Sequence, residues 1–179
     1  LVGSEMCIRD SINPASTLDS STNYYVQIAA TAFDDSSSNS YAGINDKTSL
    51  NFTTADVAAP TLSSSTPADE ATGIAVDANI VLNFNEAVDA ESGNIIIYKS
   101  SDNSQVESIP VGDSKVSGSG STAITINPSS TLDGSTAYYV QVAATAFDDS
   151  SSNSYAGISD ATTLNLSLIH ISEPTRLLA

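Results

Sequence analysis

The sequence predicts an all-β protein whose unit is an antiparallel β-sandwich of about seven strands, repeated in tandem along the chain. Short segments of alternating polarity are separated by clusters of glycine, proline, serine, asparagine and aspartate, which is the pattern of strands joined by turns. Residues 12–53 and 126–167 are identical at 33 of 42 positions. Their offset of 114 residues is a common domain size, so the repeated unit is interpreted as one domain.

The two ends of the chain differ from the sequence between them. Residues 1–11 (LVGSEMCIRDS) and 168–178 (LIHISEPTRLL) resemble translated sequencing-adapter read-through. Neither segment is therefore expected to belong to the fold. A signal-peptide remnant and an amphipathic tail are weaker alternatives, because the front lacks an apolar core with a small-residue cleavage site. The predicted organisation is a non-native flank (1–11), the C-terminal half of a truncated repeat (12–54), a linker (55–59), a complete repeat (60–166) and a second non-native flank (167–179).

The composition between the flanks excludes several classes of protein. Residues 12–166 contain no Cys, His, Met, Arg or Trp, and three lysines stand against 18 acidic residues, a net charge of about −15. A nucleic-acid surface needs clustered Lys and Arg, so no nucleic-acid partner is expected. No run approaches the ~18 apolar residues of a membrane helix, so no membrane insertion is expected either. Without cysteine, stability must come from packing or from ions.

The complete repeat begins with strand signals. Residues 60–66 predict an edge strand, because proline opens the segment and follows it at Pro67. Residues 68–74 (ADEATGI) predict a turn. Residues 78–84 predict a half-buried strand, with Ile80, Leu82 and Phe84 on its inner face. Residues 85–93 are predicted to form an acidic loop.

The middle of the repeat predicts a hairpin and one further strand. Residues 95–99 and 105–111 are separated by the turn sequence SSDNS and are predicted to pair. Residues 112–121 are polar and rich in glycine, with at most a weak strand around Val116. Residues 123–127 predict another strand, with Ile124 and Ile126 facing inward.

The repeated stretch supplies the last two predicted strands. In the first, Tyr138, Val140 and Val142 share one face, and Tyr139, Gln141 and Ala143 share the other. The loop FDDSSSNSYAG follows. Residues 161–166 predict the closing strand, with Thr162, Leu164 and Leu166 on one face.

One spacing in this stretch is more specific than the alternation. The series Leu132, Thr136, Tyr138, Val140 and Val142 resembles the corner before the sixth strand of immunoglobulin-like and fibronectin type III domains. In that corner a tyrosine hydroxyl bonds back to the backbone. Tyr138 would take this role in the complete repeat and Tyr24 in the truncated one. The alternative is that each tyrosine is simply an aromatic of a strand.

Residues 57–166 as a whole resemble a bacterial Ig-like domain of the kind found in tandem in large secreted and surface proteins. The matching stretches are APTLSSSTPADEATGIAVDANIVLNFNEAV, GNIIIYKSSDNSQVESIPV, LDGSTAYYVQV and FDDSSSNSYAGI. The resemblance implies an immunoglobulin-like sandwich, an extracellular or cell-surface location, and neighbouring repeats of the same chain as partners. It implies a role as spacer or adhesive module, and it brings no catalytic residues.

Acidic side chains predict a calcium site at the junction between repeats, because Ca²⁺ prefers several carboxylate and carbonyl oxygens. In an immunoglobulin-like sandwich, the loop after the second predicted strand and the loop before the last predicted strand lie at the pole where the preceding repeat ends. The alternative is that these are ordinary turn carboxylates, since Asp and Asn favour turns. The candidate ligands are Asp19, Asp56, Glu86, Asp89, Glu91, Asp148, Asp149 and Asn153.

Catalysis is not expected. Without histidine or cysteine, Ser-His and Cys-His pairs and the usual zinc sites are unavailable. Paired carboxylates could run glycoside hydrolysis, but every acidic residue is predicted in a turn or loop. The alternative function is an accessory module of a secreted enzyme that binds carbohydrate or another surface, with Tyr41 and Tyr155 as candidate exposed aromatics. Residues 12–54 also expose unpaired strands, which predicts strand exchange between chains or aggregation.

Overall fold

The computed structural model describes residues 12–129 and 131–168. The chain divides into two compact units at the boundary between Val57 and Ala58. The first unit holds the copy of the repeat that the sequence predicts to be truncated and the second holds the copy predicted to be complete, and each is described by itself. All regular secondary structure in the described residues is β-strand.

The first unit contains one small antiparallel sheet. Strands β1 (Asn23–Tyr25) and β2 (Asn51–Thr53) pair with Tyr24 opposite Phe52. Two isolated bridges, Ile28 with Ile44 and Asp34 with Ser40, extend the pairing into the intervening loop. A two-stranded sheet buries little apolar surface by itself, and the large apolar side chains of this unit remain largely exposed to solvent.

The described residues of the second unit form ten strands in two sheets. One sheet has the order β4-β12-β10-β6-β7, and the other has the order β11-β5-β9-β8, with β3 also paired to β5. Neighbouring strands are antiparallel except for β4 and β12, which are parallel. The strands are β3 (Leu62–Thr66), β4 (Ala71–Ile74), β5 (Ile80–Ala90), β6 (Asn94–Lys99), β7 (Gln105–Pro110), β8 (Val116–Ser117), β9 (Ser121–Ile126), β10 (Ala137–Val142), β11 (Phe147–Asp148) and β12 (Asn165–Leu168).

Apolar side chains from both sheets form one core, which confirms the predicted antiparallel β-sandwich. The predicted inner faces are buried: Ile80, Leu82 and Phe84 on β5, Ile124 and Ile126 on β9, and Tyr138, Val140 and Val142 on β10. Phe84 joins the sheets through aromatic contacts, since its ring centroid lies 5.5 Å from that of Phe147 and 5.1 Å from that of Tyr155.

The predicted loop over residues 85–93 is wrong for most of its length. Strand β5 continues through Glu86 and Asp89 to Ala90. Its register against β9 shifts between Asn83 and Val88, and Val88 is buried. The short strand β11 then pairs with the end of β5. Alternation along one segment does not reveal this extension of β5, because its partner β11 lies almost 60 residues away in sequence.

Two further predictions were wrong in the region where β4 pairs with β12. The segment predicted as a turn, residues 68–74, contains β4, which is held by its pairing with β12. The predicted closing strand over residues 161–166 begins later, because the Asp160 carboxylate accepts hydrogen bonds from the amides of Thr162 and Thr163 and holds them in a turn. Strand β12 then includes Ser167 and Leu168, two residues of the predicted non-native flank.

Candidate functional site

The eight predicted calcium ligands divide between the two units. Asp19 and Asp56 lie in the first unit and the other six lie in the second. Asp56 accepts a hydrogen bond from the Ser20 hydroxyl at 3.1 Å. The Asp19 carbonyl accepts one from the Thr54 hydroxyl at 2.6 Å. We call the six residues of the second unit the acidic pole: Glu86, Asp89, Glu91, Asp148, Asp149 and Asn153.

The centre of the acidic pole is a pair of aspartates on neighbouring strands. Asp89 near the end of β5 is the register partner of Asp148 on β11. Like charges directly opposite each other on a sheet are destabilising, so this pair favours a neutralising group. Asp148 Oδ1 is buried and has no hydrogen-bond partner among the described residues. Asp89 Oδ1 accepts a hydrogen bond from the Ser119 hydroxyl at 3.2 Å.

Asp149 and Asn153 close the loop that follows β11. Asp149 Oδ1 accepts hydrogen bonds from the amides of Ser151 and Asn153, both at 2.8 Å. Its Oδ2 accepts a third from Asn153 Nδ2 at 2.8 Å. Burial raises the pKa of Asp149, but the hydrogen bonds from Asn153 and Ser151 outweigh it and hold that pKa below its ordinary value. Asp149 therefore stays ionised, with its oxygens used to shape the loop.

The two glutamates of the acidic pole differ in position. A carboxylate oxygen of Glu86 lies within 4.8 Å of one of Asp149. Glu86 Oε1 also accepts a hydrogen bond from Asn85 Nδ2 at 3.2 Å. Glu91 lies just beyond β5, where its amide donates to the Ala146 carbonyl at 3.0 Å and its side chain is exposed. The structure thus brings together Asp89 with Asp148, and Glu86 with Asp149.

The carboxyl groups whose pKa is shifted are poorly suited to donate a proton. A glycosidase acid needs a raised pKa. Among the described residues, each carboxyl group with a resolved shift has a lowered pKa, because amides and hydroxyls donate to the ionised form. These residues are Asp35, Asp46, Asp102, Asp113, Asp149 and Asp160.

The two candidate corner tyrosines make the same hydrogen bond. The Tyr138 hydroxyl accepts from the Asp133 amide at 2.9 Å, and the Tyr24 hydroxyl accepts from the Asp19 amide at 2.9 Å. Each bond ties a strand tyrosine to the backbone five residues upstream, which is the geometry of a tyrosine corner. Tyr138 is buried whereas Tyr24 is half-buried, so the bond in the complete repeat is better shielded from water.

Several contacts of the second unit were not anticipated from the sequence. Ser119, which lies in the predicted glycine-rich segment, contacts Asp89, and nothing local in its sequence indicates that role. Lys99 pairs with Asp133 at 3.0 Å, and Lys115 pairs with Glu107 at 2.9 Å. The composition offered a signal for these ion pairs. Residues 12–166 contain three lysines among many acidic residues, so each lysine has many possible carboxylate partners.

Tyr155 does not fit its predicted place as an exposed aromatic. It is buried against Phe84, and burial raises the pKa of its hydroxyl. The alternative of a ligand-binding module therefore loses this candidate aromatic in the complete repeat. No helix long and apolar enough to cross a membrane occurs among residues 12–129 and 131–168.

Comparisons with known proteins identify the family. No curated protein matches the sequence. The crystal structure of the S-layer protein rSbsC(31-844) is similar over 63% of this chain and 14% of that chain, with 15% sequence identity and a TM-score of 0.41. This chain thus spans a small part of that protein's length. A family model described as a bacterial Ig-like domain matches residues 56–165. The match spans more than half of the chain, and the protein belongs to the bacterial Ig-like domain family.

Proposed function

We propose that the chain is part of a secreted or cell-surface bacterial protein, in which it serves as a non-catalytic spacer or adhesive module. Membership of the bacterial Ig-like family supports a structural module. The six described aspartates with a shifted pKa add support, because each pKa is lowered and such a group is poorly suited to donate a proton.

The parallel pairing of β4 with β12 is the observation that carries this proposal. It joins a strand near the start of the second unit to the strand that closes it, with Leu166 opposite Ala71 and Ser167 opposite Thr72. Hydrogen bonds between strands run across the strand direction. When the two ends of the unit are pulled apart, parallel terminal strands slide along each other, and their bonds carry the load together.

Further bonds strengthen this pair at its start. The Asn165 amide donates to the Asp69 carboxylate at 2.9 Å, and the Glu70 amide donates to the Asn165 carbonyl at 3.0 Å. On its other side, β12 pairs with β10, and the Leu168 amide donates to the Thr136 carbonyl at 3.0 Å. Strand β12 is thus held from both sides, as a spacer under tension requires.

Single-molecule pulling tests the proposal. The full chain, with Cys7 replaced by serine, would carry handles at residues 58 and 168 in one form and at residues 94 and 110 in the other. The second pair lies at the open end of the β6–β7 hairpin, where Asn94 is opposite Pro110, so pulling there separates the bonds one after another. We expect the first geometry to need the higher force. Equal or lower force along the 58–168 axis would contradict the spacer role.

A side-chain variant refines the test. Asp69→Ala removes the acceptor of the Asn165 amide and should lower the force in the 58–168 geometry. The same variant should leave the force across residues 94 and 110 nearly unchanged, because Asp69 is not part of that hairpin. Calcium binding by the acidic pole remains a prediction within this proposal, and a bound cation would oppose the repulsion between Asp89 and Asp148.

A further inference from the structure

The linker that follows the first unit begins with residues that are bonded back to that unit. The predicted linker covers residues 55–59, and the first unit ends at Val57. The Ser21 amide donates a hydrogen bond to the Ala55 carbonyl at 3.3 Å. The backbone that leaves β2 therefore runs beside the turn that precedes β1, and the start of the predicted linker is part of the first unit.

The Ser20 side chain makes three contacts with this part of the linker. Its hydroxyl oxygen accepts a hydrogen bond from the Val57 amide at 3.0 Å. Its single proton lies between two acceptors, Asp56 Oδ1 at 3.1 Å and the Ala55 carbonyl at 3.3 Å. One serine side chain thus contacts three consecutive residues of the linker. We call this arrangement of Ser20 with Ala55, Asp56 and Val57 the exit latch.

The turn that carries Ser20 is repeated in the second unit with one change of residue. Residues 18–22 are LDSST and residues 132–136 are LDGST, so Gly134 stands where the first copy has Ser20. The two turns share their backbone conformation, since Ser21 has φ of 48° and Ser135 has φ of 55°. Glycine has no hydroxyl, so the contacts of Ser20 depend on one side chain and not on the shape of the turn.

The start of the second unit is also held by hydrogen bonds. The Thr61 amide donates to Asn85 Oδ1 at 2.6 Å, and the Asn85 amide donates to the Thr61 carbonyl at 3.0 Å. Pro60, just before Thr61, has its φ fixed by its ring. Of the five predicted linker residues, the exit latch leaves Ala58 and Ala59 outside it. The fully extended length of this part is about 7 Å, against about 18 Å for five residues.

We propose that Ser20 latches the linker to the first unit, so that a repeat with serine at this position has a stiff exit and a repeat with glycine has a flexible one. The inference rests on the proposed role as a spacer, in which the stiffness of each linker sets how far a chain of repeats extends. Linker stiffness ordinarily follows from the composition of the linker itself. Here a hydroxyl on the preceding unit sets it, and a single change between serine and glycine changes it.

Hydrogen exchange and nitrogen-15 relaxation of the full chain test the exit latch. Ser20→Ala removes the hydroxyl, so the Val57 amide should exchange about three- to tenfold faster, which is the factor expected for one net hydrogen bond. The heteronuclear NOE of the Val57 amide should fall at the same time. The Asp19 amide, which donates to the Tyr24 hydroxyl, should exchange at the rate of the parent and so report that the unit is still folded.

Two further variants separate the hydroxyl from other effects of the substitution. Ser20→Thr keeps the hydroxyl, and its Val57 amide should exchange within about twofold of the parent. Ser20→Gly gives the first unit the LDGST turn of the second. It should accelerate exchange at Val57 at least as much as Ser20→Ala, because glycine also has greater backbone freedom.

Three results would overturn the proposal. The first is an unchanged exchange rate and NOE at Val57 in Ser20→Ala. The second is equal acceleration in Ser20→Thr and Ser20→Ala, because the hydroxyl would then not be the cause. The third is equal acceleration at the Asp19 and Val57 amides, because Ser20 would then stabilise the whole unit and not the linker. Each differs from failure of the spacer role, which pulling between residues 58 and 168 tests within the second unit.

Discussion

The truncated and complete copies place nearly the same sequence in two different surroundings, and several of their turns are the same in both. Asp35 and Asp149 each accept hydrogen bonds from the amides two and four residues further on. Gly43 and Gly157 both have φ of 78°, and a Cβ on either would lie 2.5 Å from a carbonyl oxygen. Turns and caps therefore depend on short-range sequence and form without the rest of the sandwich.

Burial differs completely between the copies. Phe147 and Leu164 are fully buried, whereas Phe33 and Leu50 are exposed. The apolar residues that give the complete repeat its core gain that role only when the first half packs on them. A segment of this repeat therefore specifies its turns by itself, whereas burial of its apolar side chains requires a partner segment.

The largest test compares the same phenylalanine in the two copies. Phe147→Ala should destabilise the second unit by about 3–5 kcal/mol, because it removes a fully buried ring that packs against Phe84. Phe33→Ala, its matched control, should change stability by no more than about 0.5 kcal/mol, since that ring is exposed. Denaturant unfolding of the full chain, followed by near-ultraviolet circular dichroism, measures both. Equal costs would mean that the truncated unit has a core of its own.

The sequence predicts the alternating faces of the sandwich because each face is set by residues close together in the chain. Ile80, Leu82 and Phe84 are buried as predicted, and so are Tyr138, Val140 and Val142. It does not predict the extension of β5 past Asn85 or the pairing of β4 with β12, since both depend on partners far away in sequence. Within the acidic pole, the pairing of Asp89 with Asp148 was not predicted for the same reason. The contact of Ser119 with Asp89 has no signal in the sequence around Ser119.

Calcium should distinguish the copies by a smaller amount. Asp148 faces Asp89, whereas its counterpart Asp34 lies in a unit whose described residues, 12–57, contain no counterpart of β5. With ~10 mM calcium and the ~0.1–1 mM affinity typical of extracellular modules, binding would stabilise the second unit by about 1.4 to 2.7 kcal/mol. The melting temperature of the full chain in calcium and then in chelator measures this.

Two variants serve as controls for the calcium response. Asp148→Asn should abolish the response and also raise stability without calcium, because it relieves repulsion with Asp89. Asp34→Asn should keep the full response. A melting temperature that does not change with calcium would remove the cation from the proposed function and leave the acidic pole as solvated charge.

The corner tyrosines give an effect of about 1 kcal/mol. Tyr138→Phe removes the acceptor of the Asp133 amide in a buried setting and should cost about 1 kcal/mol. Tyr24→Phe removes the same 2.9 Å bond in an exposed setting, where water replaces the hydroxyl, and should cost less. Thermal unfolding measures the first cost, and hydrogen exchange at the Asp133 and Asp19 amides measures both. Equal exchange rates in the two variants would mean that burial does not strengthen the corner.

The smallest effect should be the same in both copies, because it depends on hydrogen bonds between residues close together in the chain. Hydrogen bonds from Thr162 and Thr163 to Asp160, and from Ser49 and Thr48 to Asp46, hold the pKa of each carboxyl well below its usual 3.8. A lowered folded-state pKa contributes stability that is complete above the unfolded value and is lost as pH falls toward the folded one. Both turns should therefore hold at pH 3.8 and loosen only in stronger acid. The amide resonances of Thr162 and Thr48 should titrate together well below pH 3.8, and Asp160→Ala should abolish the titration at Thr162 alone. If Thr48 titrated near pH 3.8 while Thr162 did not, the turn of the truncated copy would depend on the missing core, and the division between local and partner-dependent structure would fail.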